Sequence, residues 1–172
     1  ERGEGSAFHV VLTFRTDVVA LPTSALDREG ASRRALGRLN VLVVEDNRVN
    51  QMVACKILEK EGHRVSIAEN GHTAVAEVAE HRFDVILMDI QMPEMDGVRA
   101  TELIRLYERE HGGHVAIIAM TAHALKEDRQ RCLEAGMDDY LEKPINRERL
   151  CSIIWQVLGR LGRGSDRATG RA

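Results

Sequence analysis

Several short apolar runs of this sequence end in a residue whose side chain can take part in chemistry. The run in "VLVVED" leads into two acids, and the run in "VILMDIQMPEMDG" leads into a third. The runs in "IIAMTAHA" and "DYLEK" lead into a hydroxyl and an amine. If these runs are parallel strands of one sheet, their carboxyl ends lie at one edge, where such sheets bind ligands. The residues gathered there would be Glu45, Asp46, Asp89, Thr121 and Lys143.

Three carboxylates in one place repel each other and raise each other's pKa, so something must offset their charge. A hard divalent cation such as Mg²⁺, held by carboxylate oxygens and waters, would do so, and Lys143 would help from the opposite side. A metal, an acidic nucleophile, a lysine and a threonine together fit phosphoryl transfer to a carboxylate. Asp89 is the predicted nucleophile because its strand is central. Asp96 is a weaker candidate, since an N-cap role explains it well.

Taken singly, each of these residues is better explained by a structural role. An aspartate at a strand end is usually a turn or cap residue, and Thr121 could cap the following helix. Glu45 and Asp46 could cap the first helix, and Lys143 could be a surface lysine before a proline. It is the joint occurrence at successive strand ends that favours a phosphoryl-transfer site.

The elements that would position these residues alternate between strand-like and helix-like patterns. Five such β/α repeats predict an α/β doubly wound parallel sheet, in strand order 2-1-3-4-5, with helices on both faces. Runs that are apolar on both faces indicate strands covered on two sides. The predicted strands are 41–44, 65–68, 85–88, 115–120 and 139–143. The predicted helices are 48–61, 72–80, 98–109, 126–135 and a last one whose apolar stripe is Leu150, Ile153, Ile154, Val157, Leu158 and Leu161.

Composition excludes several classes of protein. The hydrophobic content of 44% suffices for a core, and the 3% of aromatic residues makes that core aliphatic. The net charge of −3 comes without a basic stripe, so no nucleic-acid surface is expected. No apolar run has the roughly eighteen residues of a membrane span, and no signal peptide is evident. The scattered Cys55, Cys132 and Cys151 indicate reduced thiols in a cytoplasmic protein, acting as small apolar residues. We expect a monomer.

The motifs "VLVVEDNRVNQ", "VILMDIQMPEMDG", "IIAMTAHA" and "GMDDYLEKPI" resemble those of the response-regulator receiver domain, over about Leu39–Leu161. The resemblance implies a flavodoxin-like fold of the chemotaxis-regulator (CheY-like) kind. It implies that Asp89 accepts a phosphoryl group from phosphohistidine. Mg²⁺ would be held by Asp46, Asp89 and the backbone carbonyl of Gln91, with Glu45 acting through water. Such a receiver catalyses its own phosphoryl transfer and dephosphorylation.

The same resemblance implies roles for the residues around the phosphoacceptor. Thr121 and Lys143 would contact the phosphoryl group, and the Lys143–Pro144 bond would be cis. Thr121 and Tyr140 would form the switch that changes the output surface on phosphorylation. Gln91 and His123, each two residues after a site residue, would tune the lifetime of the phosphoryl group.

The N-terminal "GEGSAFHVVLTF" is similar to the closing segment of the histidine-kinase ATP-binding domain. This resemblance implies a remnant of that domain at 1–15, a linker at 16–38, the receiver at 39–161 and a disordered tail at 162–172. We therefore expect the C-terminal receiver of a hybrid sensor histidine kinase, which relays its phosphoryl group to a histidine phosphotransfer domain. The fragment would lack the kinase core and make no membrane contact, although its parent kinase can be membrane-anchored.

Three alternatives stay in view. A stand-alone single-domain response regulator would show the same motifs with an incidental N-terminal extension. A haloacid-dehalogenase-like phosphatase also uses an aspartate nucleophile and Mg²⁺, but it places a second aspartate two residues later, where this chain has Gln91. A flavodoxin that binds flavin would have a loop rich in Ser, Thr and Gly after its first strand, whereas "EDNRVN" is acidic.

Overall fold

The computed structural model describes residues 37–122 and 126–162. Within them, five strands and five helices alternate. The nine elements predicted with bounds begin and end within two residues of the observed ones, and the last helix carries the predicted apolar stripe. The predictions for residues 1–36, for the tail beyond residue 162 and for His123 lie outside the described residues. The elements are β1 (Asn40–Val44), α1 (Arg48–Lys60), β2 (Arg64–Ala68), α2 (Gly71–Glu80), β3 (Val85–Asp89), α3 (Gly97–His111), β4 (Ala116–Thr121), α4 (Lys126–Glu134), β5 (Asp139–Glu142) and α5 (Arg147–Arg160).

The strands form one parallel sheet in the order β2-β1-β3-β4-β5, which confirms the predicted topology. Alternate residues of each strand point to opposite faces, so each face has its own core. Val41 and Val43 of β1 pack with Leu58 of α1 and with α5, whereas Leu42 and Val44 pack with α2, α3 and α4. Both cores are built almost entirely from aliphatic side chains, as the composition predicts.

β2 departs from the prediction that every strand is covered on both faces. Only Ala68 of β2 is buried, and Ile67 is 46% exposed. β2 lies at the edge of the sheet and has a single neighbouring strand. The predicted strand order already puts β2 at this edge, but its apolar run does not show the open faces, because an edge strand and a central strand can carry the same local pattern.

Asparagine and aspartate side chains cap most of the helices, and these caps decide between two readings of the acidic residues. Asn47 caps α1 by accepting from the backbone N–H of Val49 at 2.9 Å. Glu45 and Asp46 are therefore not the cap, contrary to the alternative raised from the sequence. Asp96 caps α3, where its Oδ1 accepts from the Arg99 N–H at 2.7 Å, so its N-cap interpretation is confirmed.

α5 presents the predicted apolar stripe to the core. Leu150, Ile154, Val157 and Leu158 are buried, and Ile153 is half-buried. Leu161 follows the last residue of the helix and is half-buried as well. No disulfide joins the three cysteines, all of them among the described residues; they lie on α1, α4 and α5, as small residues of helix faces. Among residues 37–122 and 126–162, no helix has the length and apolar character that a membrane crossing requires.

Candidate functional site

The carboxyl edge of the sheet brings the predicted chemical residues together. Glu45 and Asp46 follow β1, Asp89 ends β3, Thr121 ends β4, and Lys143 follows β5. These are four adjacent strands, so their ends are neighbours. Thr121 belongs to the strand itself and does not cap α4, which begins five residues later.

The three acids form a compact cluster whose members differ in exposure. One carboxylate oxygen from each of Glu45, Asp46 and Asp89 lies within 4.8 Å of the others. Glu45 is 1% and Asp89 5% exposed, whereas Asp46 is exposed to solvent. The Oε2 atom of Glu45 is buried without a hydrogen bond. Clustered carboxylate oxygens from two buried acids and one acid open to water fit a hard cation such as Mg²⁺.

Lys143 supplies positive charge to this cluster. Its Nζ donates to Asp89 Oδ2 at 2.8 Å and forms an ion pair with Glu45 Oε2 at 2.6 Å. Burial raises the pKa of Asp89, while the hydrogen bond and charge of Lys143 work against that rise. Burial lowers the pKa of Lys143, but its contacts with Asp89 and Glu45 outweigh this and leave the pKa raised. The lysine therefore stays an ammonium ion.

The backbone around Lys143 and Thr121 holds these two side chains at the edge. The Lys143 N–H donates to the carbonyl oxygen of Thr121 at 2.7 Å, which extends the pairing of β5 with β4. The Lys143–Pro144 peptide bond is cis, as the resemblance implies. Thr121 is buried at the end of β4.

Two amides of α1 hold Glu45, and the sequence reading missed both. Asn50 Nδ2 donates to Glu45 Oε1 at 2.8 Å, and the buried Gln51 donates its Nε2 to the Glu45 carbonyl at 2.6 Å. The signal available in the sequence was "EDNRVNQ", in which two amide side chains follow the acids by about one helical turn. A helix that begins at residue 48 turns its first residues back toward the acids that precede it.

The loop between β3 and α3 wraps closely around the phosphoacceptor candidate. The Gln91 N–H donates to Asp89 Oδ1 at 3.2 Å, and the Gly97 N–H donates to the Ile90 carbonyl at 3.1 Å. A Cβ on Gly97 would lie 2.1 Å from the Asp89 carbonyl oxygen, so only glycine lets α3 begin this close to β3. Glu94, inside the loop, has a left-handed backbone with φ of 66°.

The remaining predicted residues lie around the site without contacts that define their roles. Gln91 is exposed. Tyr140 of β5 is half-buried, and the guanidinium of Arg129 lies 4.9 Å from the centre of its ring.

On α1, the apolar side chains of Val49, Met52 and Val53 are exposed.

Comparison with known proteins places this arrangement among related ones. The profile of the response regulator receiver domain matches residues 41–155. The chain is 40% identical over 134 residues to the sensor histidine kinase GacS of Pseudomonas protegens. That match covers 76% of this chain but only 15% of GacS, so the chain spans a small part of this relative's length.

Two solved structures share the fold and bear on the site. One is the receiver domain of a sensor histidine kinase from Pseudomonas aeruginosa, with a magnesium ion coordinated in its active site cleft. It is 44% identical with a TM-score of 0.65, over 72% of this chain and 99% of that one. The other is a chain of the complex between the Saccharomyces cerevisiae histidine phosphotransfer protein Ypd1 and the receiver domain of its downstream response regulator Ssk1. It is 34% identical with a TM-score of 0.67, over 71% of this chain and 91% of that one.

Proposed function

The chain belongs to the response regulator receiver domain family, and from that premise we propose that Asp89 accepts a phosphoryl group from a phosphohistidine. The observation that carries the proposal is the contact between Asp89 Oδ2 and Lys143 Nζ, at 2.8 Å, within a cluster of three acids. A buried aspartate that only stabilised the fold would not need two further acids beside it.

The transfer forms one bond and breaks one. A carboxylate oxygen of Asp89 attacks phosphorus, the phosphorus–nitrogen bond to the donor imidazole breaks, and the imidazole nitrogen keeps the electron pair. The Lys143 ammonium, held beside Asp89, stabilises negative charge on the phosphoryl oxygens, and the Thr121 hydroxyl donates a hydrogen bond to one of them. Asp46, Asp89 and the backbone carbonyl of Gln91 would hold Mg²⁺, with Glu45 acting through water, and the ion would supply further charge neutralisation.

Phosphorylation then changes the switch residues. The phosphoryl group adds roughly two negative charges at the strand ends. Thr121 moves toward it, the vacated space lets Tyr140 turn inward, and the surface of α4, β5 and α5 shifts between two states. Gln91 and His123 set how fast the phosphoryl group is lost to water. Unchanged decay kinetics in a variant with both residues replaced by alanine would contradict this role.

The partner docks beside the acidic cluster on α1. Three apolar residues lie on one face of α1, because Met52 and Val53 follow Val49 by three and four residues. Their side chains are between 41% and 67% exposed. An exposed apolar face next to the phosphoryl site suits the apolar face of a helix that carries the phosphohistidine. The known complex of a receiver domain with a histidine phosphotransfer protein supports a partner of this class.

The parent protein is a hybrid sensor histidine kinase in this proposal, and the receiver relays its phosphoryl group to a histidine phosphotransfer domain. The similarity to GacS supports this origin. A stand-alone response regulator is the alternative. The upstream coding sequence discriminates the two origins, because a kinase core there decides for the hybrid kinase. The relay is tested by mixing the phosphorylated chain with a histidine phosphotransfer protein and following the phosphoryl group. Rapid loss from Asp89 with matching gain on histidine favours the relay, whereas loss only to water contradicts it.

The first test is the intact mass of the protein after incubation with acetyl phosphate and Mg²⁺. The wild type gains about 80 Da, one phosphoryl group. It gains no mass when EDTA is present during the incubation. Asp89→Asn shows no gain. Asp96→Asn is the matched control, because asparagine keeps the N-cap of α3 and the variant should still be phosphorylated.

A wild type that gains no mass would be examined with beryllofluoride, a phosphoryl mimic, by NMR. Resonance shifts around Asp89 and Thr121 would mean that the site is intact and the phosphoryl group short-lived. Unchanged spectra, together with no transfer from a phosphohistidine protein, would overturn the proposed function.

A further inference from the structure

The two oxygens of the Glu45 carboxylate have different surroundings. Oε1 accepts from Asn50 Nδ2 at 2.8 Å, and the Asn47 backbone N–H lies at 3.4 Å. Oε2 is buried, makes no hydrogen bond and lies 2.6 Å from Lys143 Nζ. The carboxylate therefore has one oxygen engaged by α1 and one oxygen left for the site.

The side-chain contact on Oε1 is made by a neutral donor from the first turn of α1. A carboxylate can rotate about its last torsion and exchange its two oxygens, or turn both toward an ammonium. Within the described residues, the Asn50 amide is the one side chain that hydrogen-bonds Oε1, and at 2.8 Å it opposes that rotation more strongly than the Asn47 backbone N–H, which donates to Oε1 at 3.4 Å. Gln51 fixes the Glu45 backbone through its carbonyl at 2.6 Å, but leaves the carboxylate free to turn.

We propose that Asn50 is a positioning residue, which holds Glu45 with Oε2 toward the acidic cluster and so sets the affinity of the site for Mg²⁺. The inference rests on the proposed function, because it assumes that the cluster takes a divalent cation. Without the amide, Glu45 turns both oxygens to Lys143 and draws the ammonium away from Asp89. The oxygens of the cluster are then displaced from the arrangement that suits a cation.

The experiment titrates Mg²⁺ alone into ¹⁵N-labelled full chain and follows the resonances of the site by NMR. Asn50→Ala should raise the dissociation constant about 10-fold, the lower end of the loss seen when an outer-shell partner is removed, because Glu45 reaches the ion through water. Asn50→Gln keeps an amide donor and should recover most of the affinity.

Gln130→Ala is the matched control. Gln130 also donates an amide hydrogen to a glutamate, Glu134 Oε1, at 2.9 Å, but both residues are exposed positions of α4. Its loss removes the same type of bond at a distance from the cluster, so Mg²⁺ affinity should stay that of the wild type. Equal loss in the two alanine variants would mean a general effect on the fold and would overturn the proposal.

A second readout is the ¹⁵N chemical shift of the Lys143 ammonium at constant pH without metal, which reports its contacts directly. Asn50→Ala should move it and Gln130→Ala should not. Wild-type Mg²⁺ affinity in Asn50→Ala overturns the proposal. An unmoved Lys143 resonance in that variant overturns it as well. If Mg²⁺ affinity depends on Asn50 but the wild type accepts no phosphoryl group, the proposed function is refuted and the role of Asn50 stands.

Discussion

Replacing Gly97 with alanine tests how tightly the phosphoacceptor is enclosed. The new Cβ would lie 2.1 Å from the Asp89 carbonyl oxygen and 2.8 Å from Met88 Cγ. Carbon and oxygen in contact are separated by roughly 3.3 Å, so the start of α3 and the end of β3 must separate by about 1 Å. The carbonyl is backbone and cannot turn aside as a flexible side chain would.

The magnitude follows from two opposing terms. Overpacking of this kind costs about 1–3 kcal/mol. Glycine to alanine in a helix returns at most about 1 kcal/mol, and less at the first helical residue. We therefore expect Gly97→Ala to lower the free energy of unfolding by about 1–2 kcal/mol. A displacement of about 1 Å at a reacting group can cost on the order of 100-fold in rate, so phosphorylation should slow far more than stability falls.

The assay pairs urea unfolding with the rate of phosphorylation by acetyl phosphate. Gly159→Ala is the control, since Gly159 lies in α5 with nothing within 4 Å of its Cβ position. That variant should be as stable as the wild type or more so, and phosphorylated at the same rate. A Gly97→Ala protein with wild-type stability and rate would refute the close packing of α3 on Asp89.

Three further predictions concern other parts of the molecule. Arg105→Ala should lower the free energy of unfolding by about 3 kcal/mol in urea, because the half-buried Arg105 bridges the carboxylates of Glu108 and Asp138 and its loss removes the guanidinium from both. A loss below about 0.5 kcal/mol, the usual size for a surface substitution, would contradict this. Burial lowers the pKa of His63, so the unfolded chain binds its proton more readily and stability should fall as pH drops below the unfolded value of about 6.5. His63→Asn should weaken that dependence, and an identical pH profile in both proteins would refute it. Mg²⁺ at 100 times its dissociation constant should stabilise the fold by about 2.7 kcal/mol, measured by differential scanning calorimetry. EDTA or Asp46→Asn should abolish this stabilisation. Stabilisation that persists in Asp46→Asn would mean that the ion binds elsewhere.

The sequence by itself determined the order of the elements, the parallel sheet and the edge that carries the acids. Apolar runs and helical stripes are local patterns. They predicted the ends of the five strands and of four helices to within two residues, and the apolar stripe of the last helix. Parallel strands put all their carboxyl ends at one edge, so the convergence of Asp89, Thr121 and Lys143 followed from connectivity alone. The N-cap interpretation of Asp96 also followed from local chemistry, since the bond spans three residues.

The tertiary structure alone decided how the site residues share their contacts. Glu45 is buried and Asp46 is exposed although they are neighbours in the sequence. The Lys143 ammonium, which follows β5, contacts Glu45 as well as Asp89. These features depend on the packing of side chains distant in sequence, and a local pattern carries no information about that packing. Even the short-range amide of Asn50 reaches Glu45 only because α1, packed against the sheet, turns its first residues toward the acids.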